Sequence, residues 1–261
     1  RAQATLRLCF ARIPRFAPHD MIGHVVLKGA GMTASKQPVQ SVCASPPCFA
    51  HELADTGNGM EVIDPQQALD LSRWRQSKRK ELLAARAALS VSQRDAMGRT
   101  IANHVIETIK NKYQNLEGKI LSLYWPIKSE LDLRDALSVC LTLRIKLALP
   151  VVETKNAPLA FYAWKPGDKM ERGFWNIPVP AKHERVTPDI LLAPLVGWDN
   201  QNFRLGYGGG YFDRTLAAFT GDRFVIGVGL SQAKLDTIFP QPYDQPLDMI
   251  ITEHGIETHV R

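Results

Sequence analysis

Arg204-Leu205-Gly206-Tyr207-Gly208-Gly209-Gly210-Tyr211-Phe212-Asp213-Arg214 concentrates the chemistry this sequence can offer. It has four glycines in five positions, an arginine at each end, and a carboxylate where a helical pattern begins. Glycine lets backbone N–H groups converge on an anion with no Cβ in the way, and a helix opening at the end of the loop adds its positive dipole end. Arg204 and Arg214 carry guanidinium groups suited to phosphate oxygens. Asp213 is a hard oxygen ligand of the kind Mg2+ takes beside nucleotide phosphates. The stretch lacks the lysine and hydroxyl of G-x-x-x-x-G-K-[ST], so a glycine run alone fits a tight turn as well as a phosphate cradle.

Further candidates lie upstream and downstream. Arg75 and Arg79 are four residues apart in a helical pattern, so they share a face and can grip one anion, with Lys78 close to that face. Taken alone, such a run reads as a solvated basic face. Glu130 follows Trp125-Pro126-Ile127-Lys128-Ser129 at a strand end. It is either a first-turn glutamate capped by Ser129 or a carboxylate placed to accept N–H donors from a heterocycle. Trp125 and Trp175 serve either as flat walls for that ring or as core and rim residues. Asp248 is available to pair with Asp213 on one metal ion. No G-x-S-x-G, Cys/His pair or H-E-x-x-H occurs, and His104, His183, His254 and His259 have no partners that would assign them a role.

The elements that must position these residues alternate. Helices are expected over Ala68–Leu89 (starting from Asp64-Pro65), from a Ser92 cap through Ile109, and over Leu131–Leu143. Strands are expected over Ile120–Tyr124, Lys146–Val152, Leu159–Trp164, Asp189–Val196, Phe224–Leu230 and Leu247–Thr252. The glycine loop and its helix follow Asp189–Val196. This order predicts an α/β fold: a single three-layer domain with a mostly parallel central sheet flanked by helices, and ligands beyond the carboxyl ends of the strands.

Composition narrows the class. The chain has 261 residues, 45% of them hydrophobic, and no apolar run long enough to span a membrane. Cys9, Cys43, Cys48 and Cys140 form no C-x-x-C pair, which argues against disulfides and zinc. The net charge is +6, yet residues 1–70 carry six basic and six acidic groups, so the excess lies in the body, most densely from Arg73 to Arg86. That cluster is local, so neither nucleic acid nor a membrane is expected as a partner, and a cytoplasmic monomer is. Residues 1–63 are expected to be a poorly structured extension or a mis-assigned start, with the functional domain over 64–261. Arg1 to Arg15 is basic, but Pro14 and Pro18 interrupt the amphipathic helix of a presequence.

Over about Leu71 to Glu253 the chain resembles the 5-formyltetrahydrofolate cyclo-ligase family, also called 5,10-methenyltetrahydrofolate synthetase. The resemblance rests on the glycine stretch preceded by Ala193-Pro194-Leu195-Val196-Gly197-Trp198-Asp199, and on Lys78-Arg79-Lys80, Trp125-Pro126 with Glu130, and Leu149-Pro150-Val151-Val152. Gly173-Phe174-Trp175-Asn176-Ile177-Pro178 and Asp244-Gln245-Pro246-Leu247-Asp248 complete it. It implies that Arg75, Lys78, Arg79 and the loop from Arg204 to Phe212 bind ATP. It also implies that Trp125, Glu130, Trp175, Tyr207 and Tyr211 meet the folate, and that Asp213 and Asp248 hold Mg2+. The implied reaction turns 5-formyltetrahydrofolate and ATP into 5,10-methenyltetrahydrofolate, ADP and phosphate through a phosphorylated formyl intermediate. The alternatives are a nucleotide- or RNA-binding protein on the same scaffold without turnover, which Glu130, Asp213 and Asp248 oppose, and another ATP-dependent kinase or ligase.

Overall fold

Strands Leu53–Asp55 (β1) and Met60–Val62 (β2) pair antiparallel inside the stretch expected to lack structure. Three-residue strands are too short to show a period. The computed structural model describes residues 53–55, 60–62 and 65–258, all within the second of two units, Cys48–Arg261. The start expected at Asp64, Cys9, Cys43, Cys48 and the reading of residues 1–52 lie outside the described residues.

Helix α1, Pro65–Ala88, opens on a proline whose missing N–H would have had no intrahelical partner. Its inner face mixes charged and apolar residues. Leu69 is exposed, while Arg75 and Arg86 are buried and Leu82 packs on the core. Helix α2, Val91–Lys112, is capped by Ser90 rather than Ser92. The Gln93 amide donates to the Ser90 hydroxyl (3.2 Å) and the Ser90 amide to the Gln93 side chain (2.8 Å). This reciprocal box satisfies two amides at the helix start. Ser90→Ala is therefore expected to lower stability by about 1 kcal/mol, seen as an earlier denaturant midpoint; an unmoved midpoint would deny the box any energetic role.

Ile120–Ser122 (β3) leads through a loop to Arg134–Leu137 (α3). The rest of the long helix expected here, Ser138–Leu143, is a 3-10 turn. Ser138 and Thr142 hydroxyls donate to carbonyls three residues back (2.6 and 2.7 Å), competing with the α ladder. Then come Lys146–Val151 (β4), Ala160–Ala163 (β5), Met170–Arg172 (β6) and Pro178–Pro180 (β7). β6 and β7 form a separate antiparallel ribbon that the two prolines of β7 concealed. Ile190–Pro194 (β8) is followed by a hairpin of two two-residue strands, Gly197–Trp198 (β9) and Arg204–Leu205 (β10), before the glycine loop. Tyr211–Ala218 (α4), Phe224–Val228 (β11), Met249–Thr252 (β12) and Gly255–Thr258 (β13) complete the chain.

The main sheet has seven strands in the order β13-β12-β11-β8-β3-β4-β5. The five inner strands run parallel and both edge strands antiparallel. Buried Leu121, Leu147, Ile190 to Ala193 and Ile226 form its centre, and α2 covers it with Ile101, Val105 and Ile109. From β3 the chain passes to β4 on one side, whereas from β8 it passes to β11 on the other. The crevice beyond the carboxyl ends of β3 and β8 is therefore the switch point at which open α/β sheets bind ligands.

Candidate active site

A narrow cavity of about 20 Å3, room for about one water, opens at that switch point. Its walls are Tyr124 and Glu130 beyond β3, Pro194 to Val196 at the end of β8, and Val228 to Leu230 at the end of β11, with Leu82 and Arg86 of α1 on top. Glu130 is only 8% exposed. Its Oε2 accepts the Ile127 N–H (2.8 Å), while Oε1 is buried with no hydrogen-bond partner among the described residues. Burial pushes the Glu130 carboxyl above its ordinary pKa, against the opposing pull of the Ile127 amide, the Tyr207 hydroxyl, Arg86 and Lys128. A half-satisfied buried carboxylate is costly. A ligand N–H donor entering the cavity would remove that cost.

Arg86 connects this cavity to the glycine loop. Its Nη1 donates to the Leu195 carbonyl (3.2 Å), and its Nη2 to the Lys128 carbonyl (3.1 Å) and the Tyr207 hydroxyl (2.5 Å). Tyr207 also borders an open groove shared with Arg79, Lys80 and Lys128. Arg86, which lines the cavity, thus ties this groove to it through Tyr207. Arg86 continues the stripe Arg75, Arg79, Leu82 at helical spacing, the one signal in the sequence that marked it.

The loop is shaped by arginines packed against its glycines. Arg204 is buried beneath it and donates to the Asp213 carboxylate (2.9 Å), and a Cβ on Gly206 would lie 2.6 Å from its Nη1. Burial lowers the Arg204 pKa, opposed by the charges of Asp213 and Asp244. Leu205 is buried in the hairpin, and Phe212 lies under the Arg204 guanidinium. Arg79 donates from Nε to the Gly206 carbonyl (2.7 Å) and lies against Gly208, whose φ of +95° suits glycine. Its two terminal nitrogens make no hydrogen bond among the described residues. Burial and the neighbouring Arg75 charge depress the Arg79 pKa, a strain that a bound anion relieves. Gly210, at φ +64°, is the N-cap of α4, and Gly209 gives its carbonyl to Arg214 (2.7 Å).

The profile of the 5-formyltetrahydrofolate cyclo-ligase family matches residues 71–253, which contain the cavity, the loop and the arginine stripe. The chain belongs to this family. Cyclo-ligases of Haemophilus influenzae and Mycoplasma pneumoniae are 27% and 30% identical to it over 181 and 176 residues. Those alignments cover 66% and 67% of this chain and 94% and 96% of the relatives. The 5,10-methenyltetrahydrofolate synthetases of Mycoplasma pneumoniae and Aquifex aeolicus have similar structures, with TM-scores of 0.56 and 0.57 at 27% and 31% identity. They cover 69% and 70% of this chain and 98% and 91% of theirs.

Several residues singled out by resemblance to the cyclo-ligases have partners of their own. Arg75 does not share an anion site with Arg79. Its Nε donates to the Ile238 carbonyl (3.1 Å), and its Nη2 to the Phe239 carbonyl (2.8 Å) and Asp244 (2.5 Å). Lys78 turns outward to Glu81 (2.8 Å). Asp248 is not brought to Asp213. It precedes β12, and its Oδ2 accepts the Val225 N–H (2.7 Å) near the amino end of β11, whereas Asp213 lies in the first turn of α4, beyond the glycine loop. The described residues therefore do not fit a two-aspartate Mg2+ site. Asp244, from the same motif as Asp248, adds its charge to that of Asp213 in holding the Arg204 pKa up. Trp125 lies under Arg134 (3.7 Å), while exposed Trp175, at the tip of the β6–β7 ribbon, meets Tyr211 edge-on at 5.5 Å.

Proposed function

We propose that this chain is an ATP-dependent 5-formyltetrahydrofolate cyclo-ligase with a two-part site. A pterin N–H reaches Glu130 at the switch-point cavity and the triphosphate lies on the glycine loop. The observation that carries this reading is the unpaired Oε1 of Glu130 inside that cavity, a fixed acceptor for a heterocycle N–H, joined through Arg86 and Tyr207 to a loop backed by Arg79.

A formamide oxygen is a poor leaving group. In the proposed reaction it attacks the γ-phosphorus and ADP departs, leaving a phosphorylated imidate. N10 then bonds to the formyl carbon and gives up its proton, and the carbon–oxygen bond breaks to release phosphate. Such steps need charge neutralisation and in-line placement rather than a protein nucleophile. Arg79 and the loop amides would neutralise and align the phosphates. Glu130 would fix the pterin, and Tyr207 would separate and orient the two substrates. Trp175 and Tyr211 offer an aromatic shelf at the far end of the loop. Mg2+ would enter with the nucleotide, on its own phosphates, and lessen their charge.

The test is the full chain with 5-formyltetrahydrofolate and Mg-ATP, following the methenyl chromophore and ADP together. Equal amounts of both are expected. ADP without chromophore, or neither, would overturn the reading.

A further inference from the structure

We propose that Tyr243 is the stacking surface for the adenine base, presented beside Arg79 by the buried pair Arg75 and Asp244. Tyr243 is 68% exposed, the most exposed large apolar side chain among the described residues. It makes no hydrogen bond or ring contact there. Yet its backbone is held from both sides. Asp244 accepts from Arg75 and from the Gln241 amide (2.7 Å), the Ile238 and Phe239 carbonyls accept from Arg75, and Asp199 accepts the Ile238 N–H (3.0 Å). Because Arg75 lies one helical turn before Arg79, this clamp carries Tyr243 to the part of α1 that touches the glycine loop. The Tyr243 phenol is close enough to weigh on the Arg79 charge.

An exposed ring on a pre-ordered backbone loses little freedom on stacking, and every base offers it a π-face. The other exposed aromatics are committed elsewhere. Phe239 packs edge-on against Trp74 (4.9 Å), and Trp175 accompanies Tyr211. The inference rests on the nucleotide reading above, so its test separates base from phosphate. Calorimetric titration of the full chain with Mg-ATP and with inorganic tripolyphosphate is the measurement. Tyr243→Ala is expected to weaken Mg-ATP roughly tenfold with tripolyphosphate unchanged, and Tyr243→Phe to bind Mg-ATP as the parent does. Unchanged Mg-ATP affinity in Tyr243→Ala, or equal weakening of both ligands, would overturn the stacking role. A parent chain that binds neither ligand would instead overturn the nucleotide reading itself, and this inference with it.

Discussion

Glu130→Gln is expected to lower turnover of 5-formyltetrahydrofolate by about 10²-fold while leaving the protein at least as stable as the parent. The two effects have one cause. Oε1 is a buried acceptor held without a partner, so the native state bears the cost of desolvating a charge that only a bound ligand compensates. Glutamine keeps the shape and removes the charge, and with it the strong acceptor for a pterin N–H. The sign of the pH dependence follows. The Glu130 pKa in the folded chain is raised by burial above its unfolded value. Stability that is fully present below the ordinary carboxylate range is therefore lost as pH rises through that range to the raised native value. The advantage of the glutamine variant should be smallest near about pH 4 and should grow as pH rises toward about 7. Thermal melts at the two pH values, alongside the chromophore assay, measure both halves. A variant that melts earlier than the parent at neutral pH would show that the ionised carboxylate supports the fold.

Arg75→Met is expected to cost about 3–5 kcal/mol of stability, the largest change of any single substitution considered. The Arg75 and Asp244 side chains are 8% and 9% exposed. Removing the arginine leaves a carboxylate and two loop carbonyls without their donor inside the protein. Arg75→Met combined with Asp244→Leu should recover a large part of that loss, because an apolar pair replaces an unpaired charge. Denaturant midpoints of the two singles and the double form a cycle that isolates the pair. The same cycle distinguishes a strut from a ligand. If Arg75 gripped ATP, Arg75→Met would raise the KM for ATP and leave the midpoint in place.

Much of the scaffold was legible because it obeys simple periods. The buried strands β4, β8 and β11 appear as short apolar runs, and α2 shows its buried face in Ile101, Val105 and Ile109. Elements whose signal is local chemistry were missed or displaced. The prolines of β7 concealed a ribbon, hydroxyl back-bonding turned half of the expected 131–143 helix into 3-10 geometry, and Ser90 rather than Ser92 proved to be the cap. In the site, the glycine loop, Glu130, Arg79 and Tyr207 stand out by residue type and come together at the switch point.

The sequence by itself determined the fold class, the family and the glycine loop, since glycine positions and apolar periods act through the backbone within a few residues of themselves. Only the tertiary structure decided what each charge does. Arg75, Arg79 and Arg86 are alike as letters at helical spacing, yet one is locked to Asp244, one is left with open donors beside the glycines, and one ties Tyr207 to the ends of β3 and β8. Asp244 and Asp248, four residues apart, likewise fall to different tasks, one paired with Arg75 and the other capping the Val225 amide. A charged side chain takes its role from the donors and acceptors that distant segments bring within about 3 Å, and sequence spacing does not encode that distance.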